Sequence, residues 1–138
     1  PIRDMWKGKL VIKGVANEAD AESAIKLGLD GIIVSNHGGR QLDAGESTIK
    51  PLTRIAAKYG DQIKVMMDSG LRGGPDIART MASGAEFTFM GRSFMYGVAA
   101  LGAKGGDHTI SLLKTELQQV MEQICCEEVK DFPKHLIS

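Results

Sequence analysis

The stretch GIIVSNHGGRQLD, residues 31–43, decides the fold class because it joins a short apolar run to a loop of glycines and polar residues. Residues 31–34 are continuously apolar and do not alternate, which is typical of a strand covered on both faces of a parallel sheet. Directly behind this strand stand a histidine and an arginine, His37 and Arg40. The sequence therefore predicts a buried parallel strand whose exit carries groups capable of chemistry.

Apolar runs and helical patterns alternate along the rest of the chain. Asn17 precedes the first helical pattern as an N-cap, with Asp20 at the capping-box position. Pro75 and Gly84 bracket a later one, with proline just inside the start and glycine just past the end. Strands that alternate with helices form parallel βα units. The predicted strands are residues 10–12, 29–34, 63–67 and 87–90, and the predicted helices follow Asn17, span about 48–59 and 75–84, and run as a long amphipathic C-terminal helix from Asp107 to Ile124 before a short polar end.

Four parallel βα units predict an α/β fold, which is either a small open sheet or half of a TIM (β/α)8 barrel. A closed eight-stranded barrel needs about 250 residues, and this chain has 138. Half a barrel leaves strand edges open at residues 10–12 and 87–90, and exposed edges favour pairing with another chain. We therefore expect a homo-oligomer.

Charge and composition exclude several classes of partner. Lysine and arginine together number 17, as do aspartate and glutamate, so there is no basic excess for nucleic acid. No apolar run approaches the ~18 residues of a membrane span, and the first residues lack the pattern of a signal peptide. Cys125 and Cys126 are adjacent, which suits neither a disulfide framework nor a metal site. We expect a cytoplasmic protein without a metal ion.

Two consecutive glycine loops suit a phosphate group. In parallel βα folds, the loops at the carboxyl ends of the strands converge on one site. Residues 68–74, DSGLRGG, and the pair Gly91 and Arg92 offer bare amides, a helix amino terminus and two guanidinium groups. The alternative is that the glycines serve tight turns and the arginines pair with surface acids. Because both consecutive loops carry arginine, the phosphate interpretation is favoured.

Three further side chains leave strands at the same end. His37 has the chemistry of a general base, and Arg40, three residues later, can hold a carboxylate through two hydrogen bonds. Lys13 follows the first apolar run and suits a positive charge facing a cofactor. Taken singly, a loop histidine is more often structural and a lysine at a strand exit more often solvated. Only together do the three indicate a catalytic site.

Four stretches of the chain resemble the FMN-dependent α-hydroxy acid dehydrogenase and oxidase family, which includes lactate and mandelate dehydrogenases and glycolate oxidase. They occur in the family's order, and the second is very close to the family signature. The resemblance implies that residues 1–138 form the carboxyl-terminal half of a TIM barrel within one FMN-dependent dehydrogenase domain. The four stretches are LVIKG at 10–14, GIIVSNHGGRQLD at 31–43, DSGLRGG at 68–74 and FMGRSFMYG at 89–97.

The resemblance also implies roles for individual residues. His37 resembles the base that takes a proton either from the substrate hydroxyl, as hydride leaves for flavin N5, or from the α-carbon itself. Arg40 resembles the clamp on the substrate carboxylate, and Lys13 the cation near flavin N1 and O2. Ser69 stands where many relatives have glycine. The other implied contacts to FMN are Ser35, Asp68, Ser69, Gly70, Arg72, Gly91 and Arg92.

The implied activity is FMN-dependent oxidation of a small L-2-hydroxy acid to the 2-oxo acid. The alternative is a non-catalytic half-barrel that binds a phosphate-bearing ligand or self-associates. In the family, earlier strands supply further flavin contacts and the aspartate that orients the histidine, so we expect little turnover from these 138 residues alone. The sequence does not choose the hydroxy acid or the electron acceptor. A quinone acceptor would place the protein at the membrane periphery.

Overall fold

One four-stranded parallel sheet organises the computed structural model, which describes residues 2–136. Each strand pairs in parallel with the next, so the order in the sheet is the order in the sequence. The predicted parallel βα arrangement is thereby confirmed. The strands are β1 (Val11–Val15), β2 (Gly31–Val34), β3 (Lys64–Met67) and β4 (Phe87–Thr88).

A helix follows every strand, and a final long helix packs across two of the others. The helices are α1 (Ile2–Met5), α2 (Glu18–Lys26), α3 (Ile49–Tyr59), α4 (Gly74–Ala82), α5 (Arg92–Leu101) and α6 (Gly105–Gln123). Short 3₁₀ turns cover His37–Gly39, Gly102–Lys104 and Val129–His135. Helix α6 packs against α4 and α5. Among residues 2–136, no helix has the length and apolar character needed to cross a membrane.

Local sequence signals explain where the helices begin. The side chain of Asn17 accepts a hydrogen bond of 2.8 Å from the backbone N–H of Asp20, as predicted. Such a cap stabilises a helix by about 1 kcal/mol. Thr48 is the N-cap residue of α3 and Gly60 ends that helix, also as predicted. Short-range sequence signals therefore mark the start of α2 and both ends of α3.

The main core lies between the central strands and helices α2 and α3. Ile32 and Val34 of β2 are fully buried, as are Leu52 and Ile55 of α3. Burying each such side chain stabilises the fold by about 1.5–3 kcal/mol. The central position of β2 in the sheet places the loop that follows it at the middle of the carboxyl edge.

Strand β1 is longer than predicted. It continues through Lys13 and Gly14 to Val15, because a β-bulge absorbs Gly14 between the pairs of Lys13 with Ile33 and of Val15 with Val34. Gly14 has a φ of 98°, a conformation that favours glycine. Lysine followed by glycine looks like a strand end in the sequence. The bulge instead keeps Lys13 inside the strand and bends the strand at the rim of the sheet.

One expectation about packing is wrong. The predicted polar end contains Phe132, which is buried with Ala78 and Cys126 in a second cluster. The short 3₁₀ segment holds Val129 and Phe132 among polar residues, which is too few apolar positions for a periodic pattern, so the burial of Phe132 was not predictable.

Both outer strands present open edges, as predicted. Within residues 2–136, β1 pairs only with β2, and β4 pairs only with β3. Apolar side chains at these edges are exposed, including Val11 and Ile12 on one side and Phe87 on the other. The sheet is therefore incomplete at both sides, as half a barrel would be.

Candidate active site

The loops that leave the four strands surround one cavity of about 240 Å³ at the carboxyl edge of the sheet. Ser35, also predicted for the site, lies behind the wall of this cavity and is 2% exposed. The cavity is also lined by five residues that were not among the predicted site residues: Gly38, Leu71, Phe89, Met90 and Met95. The remaining predicted site residues all line it: Lys13, His37, Arg40, Asp68, Ser69, Gly70, Arg72, Gly91 and Arg92.

Lys13 of β1 contacts the residues that follow β2 and β3. The Lys13 ammonium lies 2.7 Å from Oδ2 of Asp68, which follows β3. It also donates a hydrogen bond of 2.7 Å to the Oγ of Ser35, which follows β2. The bulge therefore keeps Lys13 where its charge serves two neighbouring loops.

Asp68 is held in its ionised form. Burial raises the pKa of its carboxyl, but hydrogen bonds from Lys13, Ser35 and Ser69, together with the charge of Lys13, outweigh burial and bring the pKa below its usual value. Lys13 and Asp68 consequently form an ion pair at neutral pH. The pair orients the lysine at the floor of the cavity.

The loop after β2 is wound into a left-handed turn that carries the histidine. His37, Gly38 and Gly39 have φ values of 56°, 70° and 74°. Asn36 caps the turn by accepting a 3.0 Å hydrogen bond from the N–H of Gly38, and Ser35 Oγ accepts one of 3.1 Å from the N–H of His37. A non-glycine residue in this conformation is uncommon and strained, and such strain is concentrated at functional sites.

The imidazole ring of His37 lies against the bulge of β1. A Cβ atom added to Gly14 would lie 3.2 Å from its Nε2 atom, which is tighter than ordinary contact. The glycine thus serves two purposes, since it permits the bulge and leaves room for the ring. The sequence did not reveal this contact, because Gly14 lies in β1 and His37 in the loop after β2, and no local pattern joins them.

The arginine loops after β3 and β4 border open space. A Cβ atom added to Gly70 or to Gly91 would meet nothing within 4 Å. Helix α5 begins at Arg92 and has no side-chain cap, so its first amides lack intrahelical partners and favour an anion. The guanidinium group of Arg92 also donates to the carbonyl of Gly38. This end of the cavity is suited to a phosphate group.

The amino terminus of α4 is already occupied. Oε2 of Glu116, from α6, accepts a hydrogen bond of 2.7 Å from the N–H of Gly74. A carboxylate at this position repels a second anion. Of the two helices that begin beside the arginine loops, only α5 therefore has an amino terminus open to phosphate. The sequence did not show this difference, because Glu116 and Gly74 are 42 positions apart.

The charges around the cavity favour an anionic ligand. Four cationic side chains line it, Lys13, Arg40, Arg72 and Arg92, against the one carboxylate of Asp68. Within residues 2–136, no group of three or more histidine, cysteine, aspartate or glutamate side chains is placed to hold a metal ion. The arrangement offers a base, a carboxylate clamp and a phosphate cradle in one place.

Known proteins are similar to this chain in sequence and in fold. All of residues 1–138 match the family model described as FMN-dependent dehydrogenase. An L-lactate dehydrogenase of Vibrio parahaemolyticus is 44% identical over 133 residues, which cover 96% of this chain and 35% of that protein. The chain thus spans about a third of the length of the curated relatives it matches.

Solved structures place the four βα units in a larger fold. A soluble mutant of the membrane-associated (S)-mandelate dehydrogenase from Pseudomonas putida superposes with a TM-score of 0.90 at 42% identity, covering 95% of this chain and 37% of that one. A mandelate oxidase with benzoyl-formic acid gives 0.91 at 36% identity, covering 95% of this chain and 39% of the other. The prediction that the sheet is part of a TIM-type barrel is confirmed.

Proposed function

The chain belongs to the FMN-dependent dehydrogenase family, and we propose that the full-length protein uses FMN to oxidise a small L-2-hydroxy acid to the 2-oxo acid. One observation carries the proposal: His37, Arg40 and the Lys13–Asp68 ion pair face the same cavity as the two arginine loops. A phosphate site alone would need neither the histidine nor Arg40. The relatives named for L-lactate and (S)-mandelate support this class of substrate.

The residues around the cavity fit FMN in their donor chemistry. Arg72, Arg92 and the amides at Gly91 suit its phosphate, and the open space at Gly70 and Gly91 leaves room for it. The ionised carboxylate of Asp68 accepts hydrogen bonds of the kind that ribityl hydroxyls donate. We assign the cofactor contacts to Lys13, Asp68, Ser69, Gly70, Arg72, Gly91 and Arg92. Ser35, predicted as a further contact, is buried behind the cavity wall, and its hydroxyl holds Lys13 instead.

Lys13 contributes charge at the floor of the site. Bound FMN supplies an acceptor for the two electrons that leave the substrate. A fixed ammonium group stabilises negative charge that develops close to it, and a preorganised cation does so without reorganisation during the reaction. The ion pair with Asp68 keeps the Lys13 ammonium in one position.

His37 and Arg40 act on the substrate itself. We assign to His37 the removal of one proton, from the hydroxyl group or from the α-carbon. The guanidinium group of Arg40 holds the substrate carboxylate through two parallel hydrogen bonds, a geometry that lysine cannot reproduce. The two side chains stand three positions apart in one loop and line the same cavity, so a short 2-hydroxy acid can touch both.

The proposal extends to the location of the protein in the cell. We propose a cytoplasmic protein, associated with the membrane periphery if its electron acceptor is a quinone. The membrane-associated (S)-mandelate dehydrogenase among the similar structures supports the second part. The homo-oligomer and the identity of the acceptor stay predictions.

Anaerobic reduction tests the proposed activity. Full-length protein loaded with FMN is mixed without oxygen with L-lactate or (S)-mandelate, and the visible flavin absorption should bleach. The D-lactate and (R)-mandelate enantiomers serve as controls and should leave the spectrum unchanged. A protein that takes up no FMN, or bound flavin that neither acid reduces, would contradict the proposal and favour the non-catalytic half-barrel.

A further inference from the structure

Ser69 adopts a conformation that serine rarely takes. It follows Asp68 at the end of β3 with a φ of 79°, in the left-handed region that favours glycine. Its carbonyl accepts a hydrogen bond of 3.3 Å from Thr48 Oγ1. The residue is thus strained and fixed, and its side chain has a definite direction.

The hydroxyl of Ser69 contacts three protein groups, of which Ser35 Oγ is the most distant at 3.5 Å. It donates a 2.8 Å hydrogen bond to Oδ1 of Asp68 and accepts one of 3.1 Å from the N–H of Gly38. The polarity is fixed, because the ionised carboxylate can only accept and the backbone N–H can only donate. The hydroxyl therefore forms its hydrogen bonds within the protein. Any contact of Ser69 with a cofactor is made by its backbone.

The Ser69 hydroxyl links the loop after β3 to the loop that carries the histidine. Asn36 also accepts from the N–H of Gly38, but Asn36 belongs to the same turn and fixes only its internal shape. Ser69 joins Gly38 to Asp68 of the Lys13–Asp68 ion pair. Ser35 is a second link, because its Oγ accepts hydrogen bonds from Lys13 and from the N–H of His37. Ser69 is therefore the contact that fixes the Gly38 side of the turn relative to the ion pair.

We propose that Ser69 is a positioning residue that sets the placement of His37 over the site. The proposal rests on the proposed function, since positioning a base has a kinetic consequence only if His37 takes a proton. Misplacing a catalytic group by about 1 Å can cost up to about 10²-fold in rate. Because Asn36 and Ser35 still hold the turn, we expect the loss of the Ser69 hydroxyl to cost about tenfold in kcat.

Two substitutions separate positioning from simple stabilisation. Ser69→Ala removes the hydroxyl and keeps the strain, whereas Ser69→Gly removes both. In full-length enzyme saturated with FMN, both should lower kcat with L-lactate or (S)-mandelate about tenfold, with KM and the FMN dissociation constant within about twofold. The primary deuterium isotope effect on kcat for substrate labelled at the α-carbon should rise, because bond breaking becomes more rate-limiting. Ser83→Ala, a serine on the far end of α4 whose hydroxyl bonds only its own helix, should change none of these values.

A readout independent of turnover completes the test. Amide hydrogen exchange of the peptide spanning residues 35–42 should become faster in Ser69→Ala and Ser69→Gly, and stay unchanged in Ser83→Ala. Wild-type kcat in Ser69→Gly, unchanged exchange in that peptide, or activity restored by added FMN would each overturn the proposal. If neither acid reduces the wild-type flavin, the proposed function fails, and the exchange result alone decides whether Ser69 holds the loop.

Discussion

The two ends of the sheet are built from opposite kinds of interaction. At the amino end, Asp30 before β2 binds Arg3 at 3.1 Å, Lys9 at 2.8 Å and the N–H of Leu10 at 2.9 Å. At the carboxyl end, within residues 2–136, the guanidinium groups of Arg40 and Arg72 form no ion pair. The Asp30 carboxylate is paired with cations at the amino end, whereas Arg40 and Arg72 at the carboxyl end are available to bind an anionic ligand.

The amino end of the sheet therefore contributes to stability, and the carboxyl end contributes to ligand binding. The amino end closes its polar groups on one another, whereas the carboxyl end contains strained backbone at His37 and Ser69 and unpaired cations beside open space. In barrels of this kind, active sites occupy the carboxyl ends of the strands. Substitutions at the two ends should therefore affect different measurements.

Replacing the histidine should produce the largest effect on turnover. Asparagine tolerates the left-handed conformation at φ 56°, so His37→Asn removes the base without adding backbone strain. We expect kcat to fall about 10³-fold and the melting temperature to stay close to wild type. His108→Asn, at an exposed histidine near the start of α6, is the control. A loss of kcat smaller than about tenfold would show that His37 is not the base.

Arg40→Lys should have the next largest effect. Lysine keeps the positive charge but loses the forked donor geometry, and one charge-assisted hydrogen bond is worth about 1.5–3 kcal/mol. The value of kcat/KM for a 2-hydroxy acid should fall about 10–100-fold. Arg79→Lys, an exposed arginine on α4, should leave it unchanged. Equal losses in both variants would show that charge, not a carboxylate clamp, is what the enzyme needs.

Arg92→Lys should weaken cofactor binding by about tenfold, the value of one charge-assisted hydrogen bond. Riboflavin, which lacks the phosphate, provides the matched comparison within the same variant. We expect its dissociation constant, measured by fluorescence quenching, to be the same in wild type and variant. If FMN and riboflavin lose affinity equally, Arg92 supports the loop through the Gly38 carbonyl and does not bind phosphate.

Asp30→Asn should lower stability and leave turnover unchanged. Hydrogen bonds from Lys9 and Leu10, the charge of Lys9 and a hydrogen bond from Arg3 outweigh burial and lower the pKa of Asp30 to about 2, from 3.8. Since the pKa is depressed on folding, its stabilising contribution is present above about pH 4 and is lost as pH falls toward 2.

Thermal melting checks this sign. Wild type should melt above Asp30→Asn at pH 7, and the difference should vanish between about pH 4 and pH 2. Asp61→Asn, at an exposed turn residue, is the control. A difference in melting temperature that persists at pH 2, or a loss of kcat at pH 7, would contradict the assignment of Asp30 to the stabilising end.

Short-range signals in the sequence predict most of the fold. Three such signals act within a few residues and can be recognised from the sequence alone: the Asn17 cap, the Pro75 start of α4 and the apolar run of β2. The extent of β1 could not be predicted, because the bulge at Gly14 depends on the neighbouring strand. Burial of Phe132 likewise depends on helices that are distant in the chain.

The candidate site was predictable as a set of residues but not as a network. Parallel strands bring their carboxyl ends to one edge, so the pattern of βα units already groups His37 with Arg72 and Arg92. The links between loops, such as Ser69 with Gly38 and Glu116 with Gly74, join residues 31 and 42 positions apart. No local pattern encodes such contacts, and they distinguish the open helix terminus from the occupied one.

A crystal structure of the full-length protein with FMN and a 2-oxo acid tests the central claim most directly. We predict that the FMN phosphate lies within about 3 Å of donor nitrogens of Arg72 and Arg92, with Lys13 at the flavin ring and the 2-oxo acid carboxylate on Arg40. FMN bound elsewhere, or bound here with its phosphate away from both arginines, would contradict the assignment of this end of the sheet as the flavin site.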